Sequence, residues 1–165
     1  MKIAAVVWNS HVPMLVRASK KLNWVDLKLF SSRTLDRDPA KVNEAVEEFK
    51  KADIIFVYRS SEPFWESIEK ELEEIGKSVP VVCLSHDPSF WRVSTVSSRI
   101  VQTCYSYVTL GGEDNFTNML EYMAREILHK DIAVEAPREV PWEGLYHPDA
   151  PVSCCLLYTS DAADE

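Results

Sequence analysis

The sequence lacks the features that mark several common classes of protein. Its 165 residues include 18 Lys and Arg against 26 Asp and Glu, a formal net charge of −8. Because a nucleic-acid-binding surface needs clustered cations, this balance argues against such a face. No stretch reaches the 18 or so apolar residues that a membrane-spanning helix requires. We therefore expect a protein that binds no nucleic acid and does not span a membrane.

Motifs for nucleotide binding and nucleophilic catalysis are also absent. The chain has no Walker loop, no Gly-x-Gly-x-x-Gly string and no nucleophile elbow. Its four cysteines fit no metal-ligand spacing, since Cys83 and Cys104 stand among apolar residues and Cys154 directly precedes Cys155. The first residues lead straight into a β-branched run, which is not a signal-peptide pattern. We expect a cytoplasmic protein with neither a metal site nor a resident cofactor in this chain.

Strand-like and helix-like patterns alternate along the sequence. The length fits one domain, and 46% hydrophobic with 27% charged residues is ordinary for a globular core. Apolar runs predict parallel strands at 2–8, 24–30, 53–58, 79–84 and 107–110, the second near a sheet edge because it alternates. Alternation of strands and helices predicts a doubly wound α/β fold, flavodoxin-like or Rossmann-like. It should have about five strands, helices on both faces and an extended C-terminal tail.

The helices have predictable ends. Their starts are expected at residues that commonly cap or open helices, in chain order Pro13, Asp38, Ser60 or Ser61, and Asp114 or Asn115. Gly76 should end the helix that precedes the fourth strand. A further helix is expected near 96–104, before the fifth strand. The pair Gly111-Gly112 should then turn the chain from that strand into the last helix.

Polar residues follow the predicted strands, at the edge where open α/β sheets bind ligands. His11 follows the first strand and His86 the fourth, so two imidazoles on one rim could bind a metal or shuttle protons. Neither has a further ligand at metal spacing, and we assign no metal site. The other rim candidates are Asn9, Ser10, Arg59, Ser60, Asp87, Gly111 and Gly112. The alternative is that such residues serve only as helix caps and turns.

Four aromatic side chains could form a platform for a flat ligand, namely Phe90, Trp91, Trp142 and Tyr146. Aromatic residues also pin loops onto a domain, because each buries about 150–250 Å² of surface. The sequence leaves both interpretations open.

Two strings in the last third of the chain carry a family resemblance. Residues 110–116 read Leu-Gly-Gly-Glu-Asp-Asn-Phe before an amphipathic stretch, and residues 141–150 read Pro-Trp-Glu-Gly-Leu-Tyr-His-Pro-Asp-Ala. Together with Ser-His-Val-Pro-Met-Leu at 10–15, they resemble the N-terminal region of the tetrapyrrole-binding large subunit of ATP-dependent metal chelatases. That family includes the CobN-type cobaltochelatase subunit and the H subunit of magnesium chelatase.

The resemblance implies an enzyme that forms nitrogen–metal bonds. It implies cobalt insertion into a corrinoid precursor in cobalamin biosynthesis or, alternatively, magnesium insertion into protoporphyrin IX. The divalent metal is a substrate, and ATP is used by separate AAA+-type partner subunits. Candidates for bases or transient metal ligands are His11, His86 and His147, while the main tetrapyrrole site is expected downstream of this chain. A non-catalytic flavodoxin-like binding or structural module remains the competing interpretation.

The resemblance also sets the expected domain division. Residues 1–135 should form the α/β domain, and 136–154 a proline-rich linker to a downstream domain, because family members are very long chains. Residues 155–165 match a translated sequencing adapter and are predicted to be an artefact. On this view the chain is a fragment that is inactive by itself.

Overall fold

A four-stranded parallel sheet forms the centre of the fold. The structure, a computed structural model, describes residues 1–139. The strands are β1 (Lys2–Val7), β2 (Asp26–Ser31), β3 (Ile54–Arg59) and β4 (Val81–Ser85), in the order β2-β1-β3-β4. All neighbours pair in parallel, so that Ala5 lies opposite Leu29 on one side and Phe56 on the other. This order matches the first four strands of the flavodoxin-like arrangement.

Strand burial follows the sequence pattern. β4 is buried throughout, and β1 and β3 are buried except at one end each. β2 alternates between exposed and half-buried residues before its last positions and lies at the edge of the sheet, as predicted. The apolar runs thus occupy strands that have helices on both faces, where alternation would bury polar side chains.

Six α-helices and one 3₁₀ helix cover the two faces in the described part of the chain. They are α1 (Val12–Lys21), α2 (Ser32–Arg37), α3 (Pro39–Phe49), α4 (Phe64–Ile75), the 3₁₀ helix Pro88–Val93, α5 (Ser98–Leu110) and α6 (Glu113–Leu128). One face packs with α1, α5 and α6 through Leu15, Tyr107 and Phe116. The other face packs with α2, α3 and α4 through side chains that include Phe49 and Trp65. The predicted doubly wound α/β fold is confirmed.

The predicted fifth strand, at 107–110, is wrong because those residues belong to α5. Val101, Cys104, Tyr107 and Val108 are buried at helical spacing, so the apolar stripe of α5 continues through them. Side chains cover the free edge of β4 where a fifth strand would pair. The backbone N–H of Val81 donates to Thr95 Oγ1 (2.9 Å), and that of Cys83 donates to Ser94 Oγ (2.8 Å).

Helix starts agree with the sequence in part. Asp38 caps α3 as predicted, because its carboxylate accepts the N–H of Ala40. Neither Ser60 nor Ser61 caps α4, which begins at Phe64 after Pro63. α6 begins at Glu113 directly after Gly112, with no side-chain cap, so Asp114 and Asn115 lie inside its first turn. The short helix α2 was not predicted; its N-cap Ser31 accepts the N–H of Thr34.

A segment that follows α6, residues 131–139, has no regular secondary structure and lies along that helix. We call it the strap. The Asn115 amide donates to the Arg138 carbonyl (2.8 Å) and accepts the Arg138 N–H (3.1 Å), while Asn118 Oδ1 accepts the N–H of Glu135 (3.3 Å). The strap is therefore fixed to the domain through its backbone. Most of the predicted linker and the predicted artefact lie outside the described residues, and this division stays a prediction.

Over residues 1–139, no helix combines the length and the apolar character needed to cross a bilayer.

Candidate functional site

Four aromatic side chains meet at the carboxyl edge of the sheet. Trp8 directly follows β1, His11 precedes α1, Tyr58 lies near the end of β3, and His86 directly follows β4. β1 and β3 are neighbours whose chains continue to opposite sides of the sheet, to β2 and to β4. Open α/β sheets bind ligands at this switch point in strand order. We call Trp8, His11, Tyr58 and His86 the rim cluster.

The rings of the rim cluster are in mutual contact. Trp8 stacks on His11, with centroids 6.0 Å apart and an interplanar angle of 19°, and its centroid lies 4.9 Å from that of His86. Tyr58 presents its ring edge-on to both imidazoles, at 5.1 Å from His11 and 5.6 Å from His86. The two imidazoles therefore contact the same two rings, those of Trp8 and Tyr58, and the predicted proximity of His11 and His86 is observed.

The protonation of the cluster follows from its burial. Tyr58 is buried, which raises the pKa of its hydroxyl to about 12, so the phenol keeps its proton at neutral pH. That hydroxyl lies 3.4 Å from His86 Nδ1, a long contact. Burial and, second, repulsion from His86 lower the pKa of His11 below its ordinary 6.5. His11 is therefore neutral at pH 7 and has a nitrogen lone pair available to a proton or a metal ion.

A depression of about 560 Å³ adjoins the rim cluster, and Trp8 belongs to both. We call it the rim groove. It is formed where β1, β2 and β3 end, and its lining consists of Trp8, Asn9, Ser10, Ser32, Arg33, Asp36, Arg37 and Glu62. Asn9 and Ser10, which were predicted as rim residues, therefore reach a concave surface. Arg37 and Glu62 were not among the predicted candidates.

Three other predicted rim residues have partners within the domain. Arg59 pairs with Glu69 (3.4 Å), and its guanidinium lies 3.6 Å from the centre of the Phe90 ring. Ser60 Oγ accepts the indole N–H of Trp65 (3.3 Å). Asp87 caps the 3₁₀ helix, and the N–H it accepts there lowers the pKa of its carboxyl. Of the three, Asp87 is the helix cap that the structural alternative expected, while Arg59 and Ser60 make other contacts within the domain.

Gly111 and Gly112 do not follow a strand, so their predicted place on the carboxyl edge of a fifth strand is wrong. They join α5 to α6 with φ values of 69° and 81°, which glycine adopts without the steric penalty of a side chain. The turn that the sequence predicted is present, but it connects two helices. The other predicted candidates at the end of the chain, Trp142, Tyr146 and His147, lie outside the described residues.

Aromatic residues of the 3₁₀ helix act as loop anchors. The Trp91 indole N–H donates to the Ser85 carbonyl (3.0 Å), and its ring packs on Tyr105 at 5.1 Å. Phe90 lies under Arg59. At the carboxyl edge of the sheet the half-exposed Trp8 packs on the buried Tyr58, and sequence reasoning treated both only as strand residues. Their position in the sequence could have indicated this, because each aromatic residue stands at the end of a buried strand, where the sheet meets its ligand-binding edge.

Metal-ligating side chains are sparse at this site. Across residues 1–139, no group of three or more His, Cys, Asp or Glu side chains is placed to hold a metal ion. Two imidazoles beside a protonated phenol can accept protons or contact a metal transiently, but they do not form a closed coordination site.

Fold and site together define a class: a doubly wound parallel α/β domain with an aromatic and imidazole rim at its switch point. Comparison with known proteins adds a similarity to a known family. Residues 105–164 match the family model described as CobN/Magnesium Chelatase, a match that includes the last six residues of α5, all of α6 and the strap. The resemblance found in the sequence is therefore confirmed for these residues, which are similar to that family.

Two relatives extend the likeness over most of the chain. The catalytic subunit of cobaltochelatase from Mycobacterium tuberculosis superposes with a TM-score of 0.66 over 90% of this chain, at 16% identity, a likeness of fold. The uncharacterized protein MJ1441 of Methanocaldococcus jannaschii is 32% identical over 152 residues, or 89% of this chain. The chain spans only 12% of the first relative and 11% of the second.

Proposed function

We propose that this chain is part of the large, tetrapyrrole-binding subunit of an ATP-dependent metal chelatase. The observation that carries the proposal is the family match over residues 105–164, which includes both strings that suggested the family. The fold likeness to a cobaltochelatase catalytic subunit agrees with it. The reaction we propose is insertion of cobalt into a corrinoid precursor during cobalamin biosynthesis.

Partner subunits complete this proposal. AAA+-type ATPase subunits would hydrolyse ATP and drive the large subunit, and the assembly would work in the cytoplasm. The divalent metal is a substrate of the reaction. We place the main metal-insertion site in parts of the large subunit outside this chain, so residues 1–165 alone should not insert a metal.

The chemistry requires that pyrrole N–H protons leave as the metal enters the ring. A neutral imidazole such as His11 can accept a proton at pH 7, and His86 contacts the same Trp8 and Tyr58 rings. We propose that the rim cluster contacts the tetrapyrrole or receives such protons. His147 remains a third candidate for the same role and lies outside the described residues.

Two alternatives have observations in their favour. The family description names magnesium chelatase beside CobN, so insertion of magnesium into protoporphyrin IX by an H-type subunit is the second candidate. A purely structural module is the third, because the hydrogen bonds between Asn115 and the strap stabilise the domain and involve no ligand.

Metal insertion by the longer protein tests the proposal. The coding sequence downstream of codon 151 should be read from independently amplified source DNA, and the complete subunit expressed with its ATPase partners. We expect ATP-dependent incorporation of Co²⁺, seen as a change in the tetrapyrrole absorption spectrum, and none with residues 1–165 alone. A natural stop codon directly after Glu165, or insertion by the short chain, would contradict the proposal.

A further inference from the structure

Two arginines of the rim groove have no ionic partner among residues 1–139. Arg33 and Arg37 are exposed, one turn apart on α2. Among the described residues, no carboxylate lies within 4.0 Å of either guanidinium, whereas Arg17, Arg59, Arg99, Arg125 and Arg138 all form such pairs. The groove therefore holds two of the three arginines that lack a carboxylate, the third being Arg92 of the 3₁₀ helix.

α2 holds these arginines in a defined place. The helix starts directly at the end of β2, where Ser31 caps it, and Leu35 between the two arginines is buried against the core. The opposite face of this one-and-a-half-turn helix therefore presents both side chains to the groove. An anion that binds there meets guanidiniums on an ordered backbone, so little backbone ordering is needed on binding.

Other groups of the groove restrict the ligand further. Trp8 offers a half-exposed indole for stacking. One carboxylate oxygen of Glu62 is buried and has no hydrogen-bond donor in residues 1–139, so a ligand N–H could satisfy it. Asp36 and Glu62 also make the groove unfavourable for a compact polyanion such as phosphate. A flat ligand that combines carboxylates with N–H groups fits this lining. Its ring can stack on Trp8, its carboxylates can pair with the arginines, and its N–H groups can donate to Glu62.

We infer that the rim groove binds the carboxylate-bearing edge of a planar, N–H-containing ring, with Arg33 and Arg37 as the carboxylate-binding residues. A guanidinium presents paired N–H donors that fit a carboxylate in a bidentate contact. The inference rests on the proposed function for the type of ring and deepens it, because it assigns recognition of acidic ring substituents to this chain.

Porphyrin titrations test the inference on the complete 165-residue chain. The probes are coproporphyrin and its methyl ester, the same ring without carboxylate charges, and binding is followed by the Soret band and by Trp fluorescence. We expect coproporphyrin to bind at least tenfold more tightly than the ester. Each of Arg33→Gln and Arg37→Gln should weaken coproporphyrin binding about fivefold, and the double variant more than tenfold.

A matched control is Arg92→Gln, which removes an arginine that also lacks a carboxylate but does not line the groove. It should leave the affinity unchanged. Since none of the three guanidiniums has an ionic partner in the part of the chain that the structure describes, all variants should unfold at the same urea concentration as the unmodified chain. A loss of binding in the groove variants with unchanged unfolding would therefore report a lost ligand contact.

Several results would overturn the inference. These are equal affinity for the acid and the ester, equal affinity in the groove variants, and no porphyrin binding at all. Displacement of coproporphyrin by ATP that depends on both arginines would assign the groove to a nucleotide instead. None of these outcomes decides whether the complete subunit inserts a metal, so the proposed function is tested independently.

Discussion

The strap and the rim groove differ in how their polar groups are satisfied. At the strap, the fully buried Asn115 donates to the carbonyls of Gly111 (2.6 Å) and Arg138 (2.8 Å) and accepts the N–H of Arg138. In the groove, Arg33 and Arg37 have no ionic partner within residues 1–139. A satisfied, buried amide stabilises a fold, whereas exposed charges without partners contribute little to it and remain available to a ligand.

The strap and the rim groove also differ in which known proteins they resemble. The family match covers 105–164, which includes the strap and excludes every residue of the groove and the rim cluster. The similarity to this family model is therefore confined to the last part of the sequence. The groove and the rim cluster, which form the candidate ligand-binding site, lie outside this match. There the similarity to known proteins comes from the cobaltochelatase fold and from MJ1441.

Asn115→Ala should have the largest effect on stability. The substitution removes an amide that makes three hydrogen bonds and leaves backbone groups of Gly111 and Arg138 without partners, so we expect a loss of about 2–4 kcal/mol. Urea unfolding measures the loss. Asn118→Ala is the control, because its side chain makes only one contact to the strap and should cost about 1 kcal/mol. Equal losses in the two variants would contradict the central role of Asn115.

Tyr107→Phe should have a smaller effect on the same connection. The Tyr107 hydroxyl donates to the carbonyl of Glu135 in the strap, and its ring packs on Tyr122 at 5.9 Å. Removing the hydroxyl should cost about 1 kcal/mol in urea unfolding while the packing stays. Tyr122→Phe is the matched control, since its hydroxyl has no hydrogen bond within residues 1–139, and it should be close to neutral. Greater destabilisation by the control would refute the assignment.

The sequence predicted the parts of the fold that depend on local apolar patterns. Runs such as Ile54–Tyr58 marked strands, and because parallel strands end at the same edge, His11 and His86 could be placed together. The fifth strand failed because a short run of Tyr, Val and Thr also fits the buried stripe of a helix. α2 escaped detection because Leu35 is its only buried apolar residue.

Long-range polar contacts were beyond sequence reasoning. Asn115 resembled a helix cap, and nothing in its neighbours indicates that its amide pairs with Arg138, 23 residues later. Arg33 and Arg37 lie in a stretch for which the sequence predicted no helix. Only the folded chain shows that they line a concave surface beside Trp8.

The pH dependence of stability should reveal the unusual environment of His11. Its pKa in the folded chain lies below the ordinary 6.5, so the unfolded chain binds a proton more readily. Stability from this group is therefore present above pH 6.5 and is lost as the pH falls through the folded-state pKa. Urea unfolding between about pH 5 and pH 7.5 should show a steeper acid loss for the unmodified chain than for His11→Gln. Parallel curves would contradict this.

The smallest effect should come from His86→Gln, which removes the weaker of the two causes acting on His11. Burial is the first cause of the lowered pKa of His11 and repulsion from His86 the second. NMR titration of the His11 ring should therefore show a pKa that rises in the variant but stays below 6.5. His129→Gln, at the exposed end of α6, should leave it unchanged. A complete return to the ordinary value would mean that charge, not burial, controls the imidazole. In that case the rim cluster would resemble the exposed groove more than the buried Asn115 that holds the strap.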